Sequence, residues 1–141
     1  MSARIAVRNA QRAIRVNVAA LQDSAEKALR ICLSIRSKKS TTLGKLREVH
    51  VLLVSDRRMA ALHRQFLNQS GPTDVITFAH GEIFIGAETA RRQAKQFGNP
   101  FLRELQLYVV HGLLHLHGFD DRSERDGRRM KARQEKILNR L

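Results

Sequence analysis

Residues 101–117 constrain the fold more than any other segment, because they are apolar on nearly every side of a helix. A helix without a polar face has to be covered by other elements, so this segment predicts a helix in the middle of a packed domain. Gly118 follows it and predicts its end. A chain of 141 residues has the length of one domain and buries roughly two thirds of its surface on folding. We therefore expect residues 1–141 to form a single domain around this helix.

The rest of the chain alternates between strand and helix patterns. β-Branched or alternating segments predict strands at 3–7, 49–54, 73–79 and 82–85. Amphipathic or capped segments predict helices from Ile14 to Ile35, from Ser55 to Leu67, over 87–97 and from Ser123 to the C-terminus. Residues 36–45 read as a loop. The pattern predicts an α+β fold, in which a small mixed β-sheet of about four strands packs with about five helices around the central apolar helix.

Two apolar stripes predict which helix faces are buried. The stripe from Ile14 to Ile35 has spacings of three and four and includes Cys32, which we therefore expect to be a small buried hydrophobe. A coiled-coil partner is the alternative for this stripe. Met59, Leu62 and Phe66 share one face of the next helix.

The charge is concentrated at the two ends of the chain. Residues 1–47 carry 11 basic and 2 acidic groups, residues 48–121 carry 7 and 8, and residues 122–141 carry 8 and 3. Two basic flanks around a nearly neutral middle favour binding to a polyanion such as RNA or DNA through counterion release. Solvated surface that keeps the protein soluble is the other interpretation.

Several protein classes are excluded by composition. No apolar run approaches the ~20 residues that span a bilayer, so we expect no membrane partner. A single cysteine excludes a disulfide framework and a Cys-rich zinc finger, and it fits a reducing compartment such as the cytoplasm. Residues 1–22 hold four arginines and no acidic residue, as a transit peptide would, but they also fit the first strand and helix.

A metal site is indicated by His111 and His115 in the apolar helix. The spacing i, i+4 places both imidazoles on one face, as zinc binding by a helix requires. Gly118 can turn the chain back so that Asp120 or Asp121 supplies a third ligand, and His117 is the competing residue. Three protein ligands with an open position are typical of a catalytic zinc. Glu104 and Tyr108 share the histidine face and are candidate outer partners, whereas position 112 is glycine, so the HExxH protease motif is absent.

The segment His111-Gly-Leu-Leu-His-Leu-His-Gly-Phe-Asp-Asp121 resembles the YbeY endoribonuclease family, whose signature is HGxLHLxGYDH. Residues 71–78 and 81–86 are similar to two further blocks of that family, PTDVLSF and LGDIVI. The resemblance implies one Zn²⁺ per chain held by His111, His115 and Asp121. It also implies a single-strand-specific endoribonuclease of the bacterial cytoplasm that matures the 3′ end of small-subunit ribosomal RNA and takes part in ribosome quality control.

The chain departs from the family pattern at three positions. Asp121 stands where the family has histidine, Leu67 stands where it has an arginine credited with catalysis or RNA contact, and Glu82 replaces an aspartate. Arg64 and Arg57 are candidate RNA-binding substitutes for that arginine. No separate general base is evident, and Asp74 and Glu82 are candidates only through their places in the matched blocks.

Three functions follow as hypotheses. The first is hydrolysis of RNA phosphodiesters by a zinc-bound water. The second is a non-catalytic RNA-binding or ribosome-associated factor that keeps the metal for stability, which the loss of the arginine at position 67 favours. The third is a zinc hydrolase acting on another substrate such as a peptide.

Overall fold

The computed structural model describes residues 3–37 and 43–141. Its four strands form one mixed sheet in the order β1-β2-β4-β3, in which β1, β2 and β4 are parallel and β3 runs antiparallel to β4. The strands are β1 (Arg4–Asn9), β2 (Glu48–Val54), β3 (Val75–Phe78) and β4 (Glu82–Gly86). This confirms the predicted mixed sheet and places β3 at an open edge.

Five α-helices surround the sheet, as predicted. They are α1 (Val18–Ser34), α2 (Asp56–Leu67), α3 (Ala87–Phe97), α4 (Phe101–Leu116) and α5 (Glu124–Leu138). Side-chain oxygens of Asn17, Ser55 and Ser123 accept backbone N–H bonds from the first turns of α1, α2 and α5, which fixes where these helices begin. No helix within residues 3–37 and 43–141 is both long and apolar enough to cross a membrane.

Two predicted boundaries are wrong. Ile14 does not belong to α1, because Asn17 caps the helix and the amide of Gln11 bonds both the N–H and the carbonyl of Ile14 in a separate turn. Within the predicted loop 36–45, Leu43–Lys45 form one turn of 3₁₀ helix whose Leu43 is fully buried. Residues 38–42 of that loop lie outside the described residues.

The apolar helix α4 lies in the core as its composition predicts. It packs against α1, α3 and α5 and against the sheet face that carries Ile83 and Ile85, while α2 covers the other face around Phe84. Gly112 brings α4 so close to β4 that a β-carbon there would come within 2.7 Å of Ile83. Cys32 is buried in this core, and burial raises the pKa of its thiol to about 12, in line with the small hydrophobe expected.

Candidate metal centre

The two histidines of α4 face each other across one helical turn. The Nε2 atoms of His111 and His115 are 3.0 Å apart, and both side chains are partly exposed. A buried helix therefore holds two imidazole nitrogens at the boundary between core and solvent. The predicted i, i+4 arrangement is present in the structure.

The turn after α4 brings in a carboxylate. Gly118 has a φ of 95°, a left-handed conformation that a residue with a side chain rarely adopts, and it ends the helix as predicted. Asp121 then places its Oδ1 3.6 Å from His115 Nε2 and its Oδ2 3.8 Å from His111 Nε2. One ligand atom from each of the three residues lies within 4.8 Å of the other two.

The alternative third ligands point elsewhere. His117 is buried, and its Nε2–H donates to the carbonyl of Ile35 at 2.6 Å. Asp120 accepts a long bond of 3.5 Å from the N–H of Arg122 and lines a separate cavity with Arg129 and Arg133. The cluster within metal-binding distance therefore contains Asp121 and neither of these residues.

A glutamine from α5 sets the proton position on His111. Gln134 Oε1 lies 2.6 Å from His111 Nδ1, and because an amide oxygen only accepts, Nδ1 carries the proton and Nε2 keeps its lone pair. A histidine that binds a metal through one ring nitrogen is commonly oriented by a hydrogen bond from the other, and Gln134 is placed to accept that bond. Sequence reasoning missed it, since the two residues are 23 positions apart and only the packing of α5 on α4 joins them.

The candidate outer partners on α4 have other contacts. The hydroxyl of Tyr108 donates to Gln93, and Glu104 accepts from the side chain of Asn99. Gln134, rather than Glu104 or Tyr108, is therefore the residue that meets the Nδ1 atom of His111. Both residues are buried, and burial raises the pKa of Tyr108, with Glu104 adding to the shift.

The electrostatics keep His115 in the form that binds metals. Burial lowers the pKa of His115, a positive charge on His111 would lower it further, and Asp121 and Asp120 oppose the shift. A neutral imidazole is the ligating form. Two neutral nitrogens and one carboxylate oxygen are a donor set that suits zinc and similar divalent ions, so the residues present fit a metal ion.

Two cavities open onto this cluster. A cavity of about 550 Å³ reaches both histidines, and its lining residues are Phe66, Leu67, Val75, Ile76, Thr77, Phe78, His111 and His115. A second one of about 320 Å³ is lined by Asp74, Val75, Leu107, Tyr108, His111, Asp121 and Gln134. Leu67, which stands where the family resemblance predicts an arginine, thus lines the same cavity as both histidines.

The other predicted site residues are distributed unevenly around the cluster. Asp74 lines the cavity that reaches His111, with its Oδ1 accepting from the N–H of Val75 at 2.7 Å. Ile83 faces α4, and because side chains alternate along a strand, Glu82 points to the other side of the sheet. There its carboxylate lies 2.5 Å from His80 Nε2. Arg57 and Arg64 are exposed on α2, and neither is among the residues that line the two cavities.

Phe66 departs from its predicted burial. The stripe with Met59 and Leu62 predicts a covered ring, but 55% of Phe66 is exposed, whereas Met59 is fully buried. Phe66 lies in the last turn of α2, where its ring meets Phe78 of β3 edge-on and the rest of the ring faces solvent.

Comparison with known proteins gives the family. A family model described as Endoribonuclease YbeY matches residues 6–141. A protein from Bacillus pumilus named Endoribonuclease YbeY is 34% identical, and the match covers 65% of this chain and 70% of that protein. A protein of the same name from Geobacillus thermodenitrificans is 36% identical, and the match covers 67% of this chain and 72% of that protein. A solution structure of a protein from Thermotoga maritima superposes with a TM-score of 0.62 at 27% identity, covering 96% of this chain and 90% of the other.

These matches confirm the resemblance first seen in residues 111–121. The family model spans nearly the whole chain, and each relative is matched over more than two thirds of its length. The chain therefore belongs to the endoribonuclease YbeY family.

Proposed function

We propose that this chain is a metal-dependent endoribonuclease that hydrolyses single-stranded RNA, with one zinc ion held by His111, His115 and Asp121. The observation that carries the proposal is the convergence of these three side chains within 4.8 Å at the end of a buried helix. A divalent ion bound there supplies a Lewis acid for a phosphoryl oxygen and lowers the pKa of water. The family match supports RNA as the substrate.

The residues around the cluster prepare it for this chemistry. Gln134 fixes His111 as the Nδ1–H tautomer, so its Nε2 lone pair is directed toward His115 and Asp121. Asp121 brings a negative charge to the two neutral imidazoles. We further propose that Asp74, rather than Glu82, is the carboxylate that holds a proton during the reaction, because only Asp74 shares a cavity with His111.

The proposed setting is ribosomal RNA maturation in the bacterial cytoplasm. The formal charge of +13 and the basic flanks support a polyanionic partner. The family resemblance points to the 3′ end of small-subunit ribosomal RNA and to ribosome quality control. Comparing ribosomal RNA ends in cells with and without the chain tests this assignment, and unchanged 3′ ends would contradict it.

The metal site is tested first by elemental analysis of identically prepared proteins. We expect about one zinc ion per chain in the wild type and clearly less in Asp121→Ala. Asp120→Ala is the matched control, because it removes the neighbouring carboxylate that lies outside the cluster. Full zinc content in Asp121→Ala would contradict the three-residue site.

Cleavage is tested with a labelled single-stranded RNA. The wild type should cut it, His115→Ala should not, and His50→Ala should cut like the wild type because His50 lies on β2 beside Glu48, outside the cluster. Equal rates for wild type and His115→Ala would remove the metal from the mechanism.

A non-catalytic RNA-binding factor remains the second candidate, because Leu67 gives the cavity beside the histidines an apolar residue where the family has arginine. It predicts salt-sensitive RNA binding that survives His115→Ala, with no cleavage above a mock preparation.

A further inference from the structure

The cavity of about 550 Å³ beside the histidines has an unusual exposed apolar wall. Phe66 is 55% exposed and Leu67 50%, and they are two of the three large hydrophobic residues that are exposed in the described part of the chain. The third, Phe97, lies on α3 and lines neither cavity that reaches the cluster. Exposed apolar surface beside a cluster of polar ligands indicates a binding surface rather than ordinary packing.

The ring of Phe66 is held in place. Its centroid lies 5.2 Å from that of Phe78 at an interplanar angle of 76°, and Phe78 in turn packs edge-on against the buried Phe84 at 5.7 Å. Asn68 caps the end of α2 directly after Leu67. Its N–H donates to the carbonyl of Arg64, and the N–H of Gln69 donates to the carbonyl of His63. The exposed ring is thus fixed to the sheet and loses little conformational freedom when a ligand covers it.

A polar edge lies next to this ring. The N–H of Gly86 in β4 donates to the carbonyl of Asp74. In an antiparallel pair every second residue directs its peptide groups at the partner strand, so Ile76 and Phe78 also direct theirs at β4. The peptide groups of the alternate residue Thr77 point the other way, toward the open edge of the sheet. Thr77 lines the same cavity as Phe66.

We propose that this cavity binds an unpaired nucleobase of the RNA substrate, with Phe66 as the stacking surface and the Thr77 peptide group at the polar edge of the base. The proposal rests on the endoribonuclease function argued above. A nucleobase has two apolar faces and a rim of donors and acceptors, which matches a ring beside a peptide edge. No lysine or arginine is among the described residues that line this cavity, so it does not suit a phosphate.

The subsite gives the enzyme a physical reason to act on single strands. A base within a duplex is stacked on both faces and paired along its rim, so it cannot cover Phe66 without being extracted. An unpaired base enters without that cost. Because His111 and His115 line the same cavity, a base held there places the adjoining phosphodiester near the metal ligands.

Binding of two short single strands tests the proposal, one an RNA and the other a ribose-phosphate strand of equal charge without bases. Affinities are measured in EDTA, which stops metal-dependent cleavage. Phe66→Ala should weaken RNA binding by about five- to a hundredfold while leaving the abasic strand unchanged. Phe66→Trp should retain RNA binding. Phe97→Ala is the matched control, since it removes another exposed ring that lines neither cavity, and should bind RNA like the wild type.

The outcomes separate this proposal from the proposed function. Equal affinity of wild type and Phe66→Ala for the RNA overturns the base subsite, even if the wild type cleaves RNA. A selective loss in Phe66→Ala supports the subsite, even if no cleavage is found. An extended peptide that displaces RNA from the wild type and protects the Thr77 amide from exchange would assign the cavity to a peptide strand and overturn the proposal.

Discussion

Gly112, which lies between the two histidines of α4, allows this helix to approach β4 closely. A β-carbon at this position would lie 2.7 Å from Cδ1, 2.9 Å from Cγ2 and 3.0 Å from Cγ1 of Ile83. Ordinary carbon contacts are about 3.5–4.0 Å, so Gly112→Ala forces α4 or Ile83 to move. Ile83 is fully buried in the core and cannot turn into solvent.

The size of the effect follows from two opposing terms. Overpacking a well-filled core costs about 1–3 kcal/mol. Replacing glycine by alanine inside a helix stabilises it by about 0.8–1 kcal/mol. Gly127 in α5 provides the matched control, because a β-carbon there meets only the carbonyl oxygen of Asp121 at 3.9 Å. We therefore expect Gly112→Ala to lower the free energy of unfolding by roughly 0–2 kcal/mol and Gly127→Ala to raise it by about 1 kcal/mol.

Urea unfolding in EDTA, followed by circular dichroism, measures this difference without a contribution from bound metal. The same two glycine substitutions are then made in an Ile83→Ala background, where the crowding atoms are gone. There Gly112→Ala should stabilise the protein as Gly127→Ala does. If the two alanine variants have the same stability in the wild-type background, the close approach of α4 to β4 does not constrain the helix, and the reasoning fails.

Three further changes test the surroundings of the site. Gln134→Ala should weaken zinc binding by about 10- to 100-fold in a chelator competition, because His111 loses the acceptor that fixes its tautomer; unchanged affinity would show that the contact is incidental. Burial raises the pKa of Cys32 from 9.0 to about 12, so a thiol reagent at pH 8 should react with it only in urea. The stability gained by burying the neutral thiol is present below pH 9.0 and declines as pH rises toward 12, so alkaline unfolding should be less steep in Cys32→Ala. Ser123→Ala should cost about 1 kcal/mol in a thermal melt, because its Oγ accepts the Asp126 N–H at the start of α5, and Ser123→Asp should restore it.

The helix and its two histidines were predictable because their signals are local. An apolar segment of this length has one stable environment, and the spacing of His111 and His115 fixes their relative direction on any helix. Which of Asp120, Asp121 and His117 joins the two histidines could not be predicted from a local signal. It depends on the backbone path after Gly118, where a shift of one residue exchanges Asp121, which joins the histidine cluster, for Asp120, which does not.

Contacts between elements that are distant in the chain could not be predicted from the sequence. Gln134 reaches His111 only because α5 crosses α4, and no periodicity in α5 distinguishes it from the polar residues around it. Phe66 has the spacing of a core residue, but its ring contacts Phe78 on one side and stays 55% exposed at the last turn of α2. A helical stripe predicts the direction of a side chain but not whether another element lies in that direction.

The positive charge of the chain is distributed away from the two cavities beside the histidines. The described residues that line the two cavities include Asp74 and Asp121 and no lysine or arginine, although the chain as a whole carries +13. Leu67 accounts for part of this, since it lines the larger cavity at a position where the family resemblance predicts an arginine. Under the proposed function the basic flanks would attract RNA to the protein as a whole, whereas the two cavities beside the histidines offer an apolar wall and carboxylates. For the proposed endoribonuclease, a cation held by His111, His115 and Asp121 would supply the positive charge at the point of cleavage, so we expect a metal-free chain to hold a phosphate there only weakly.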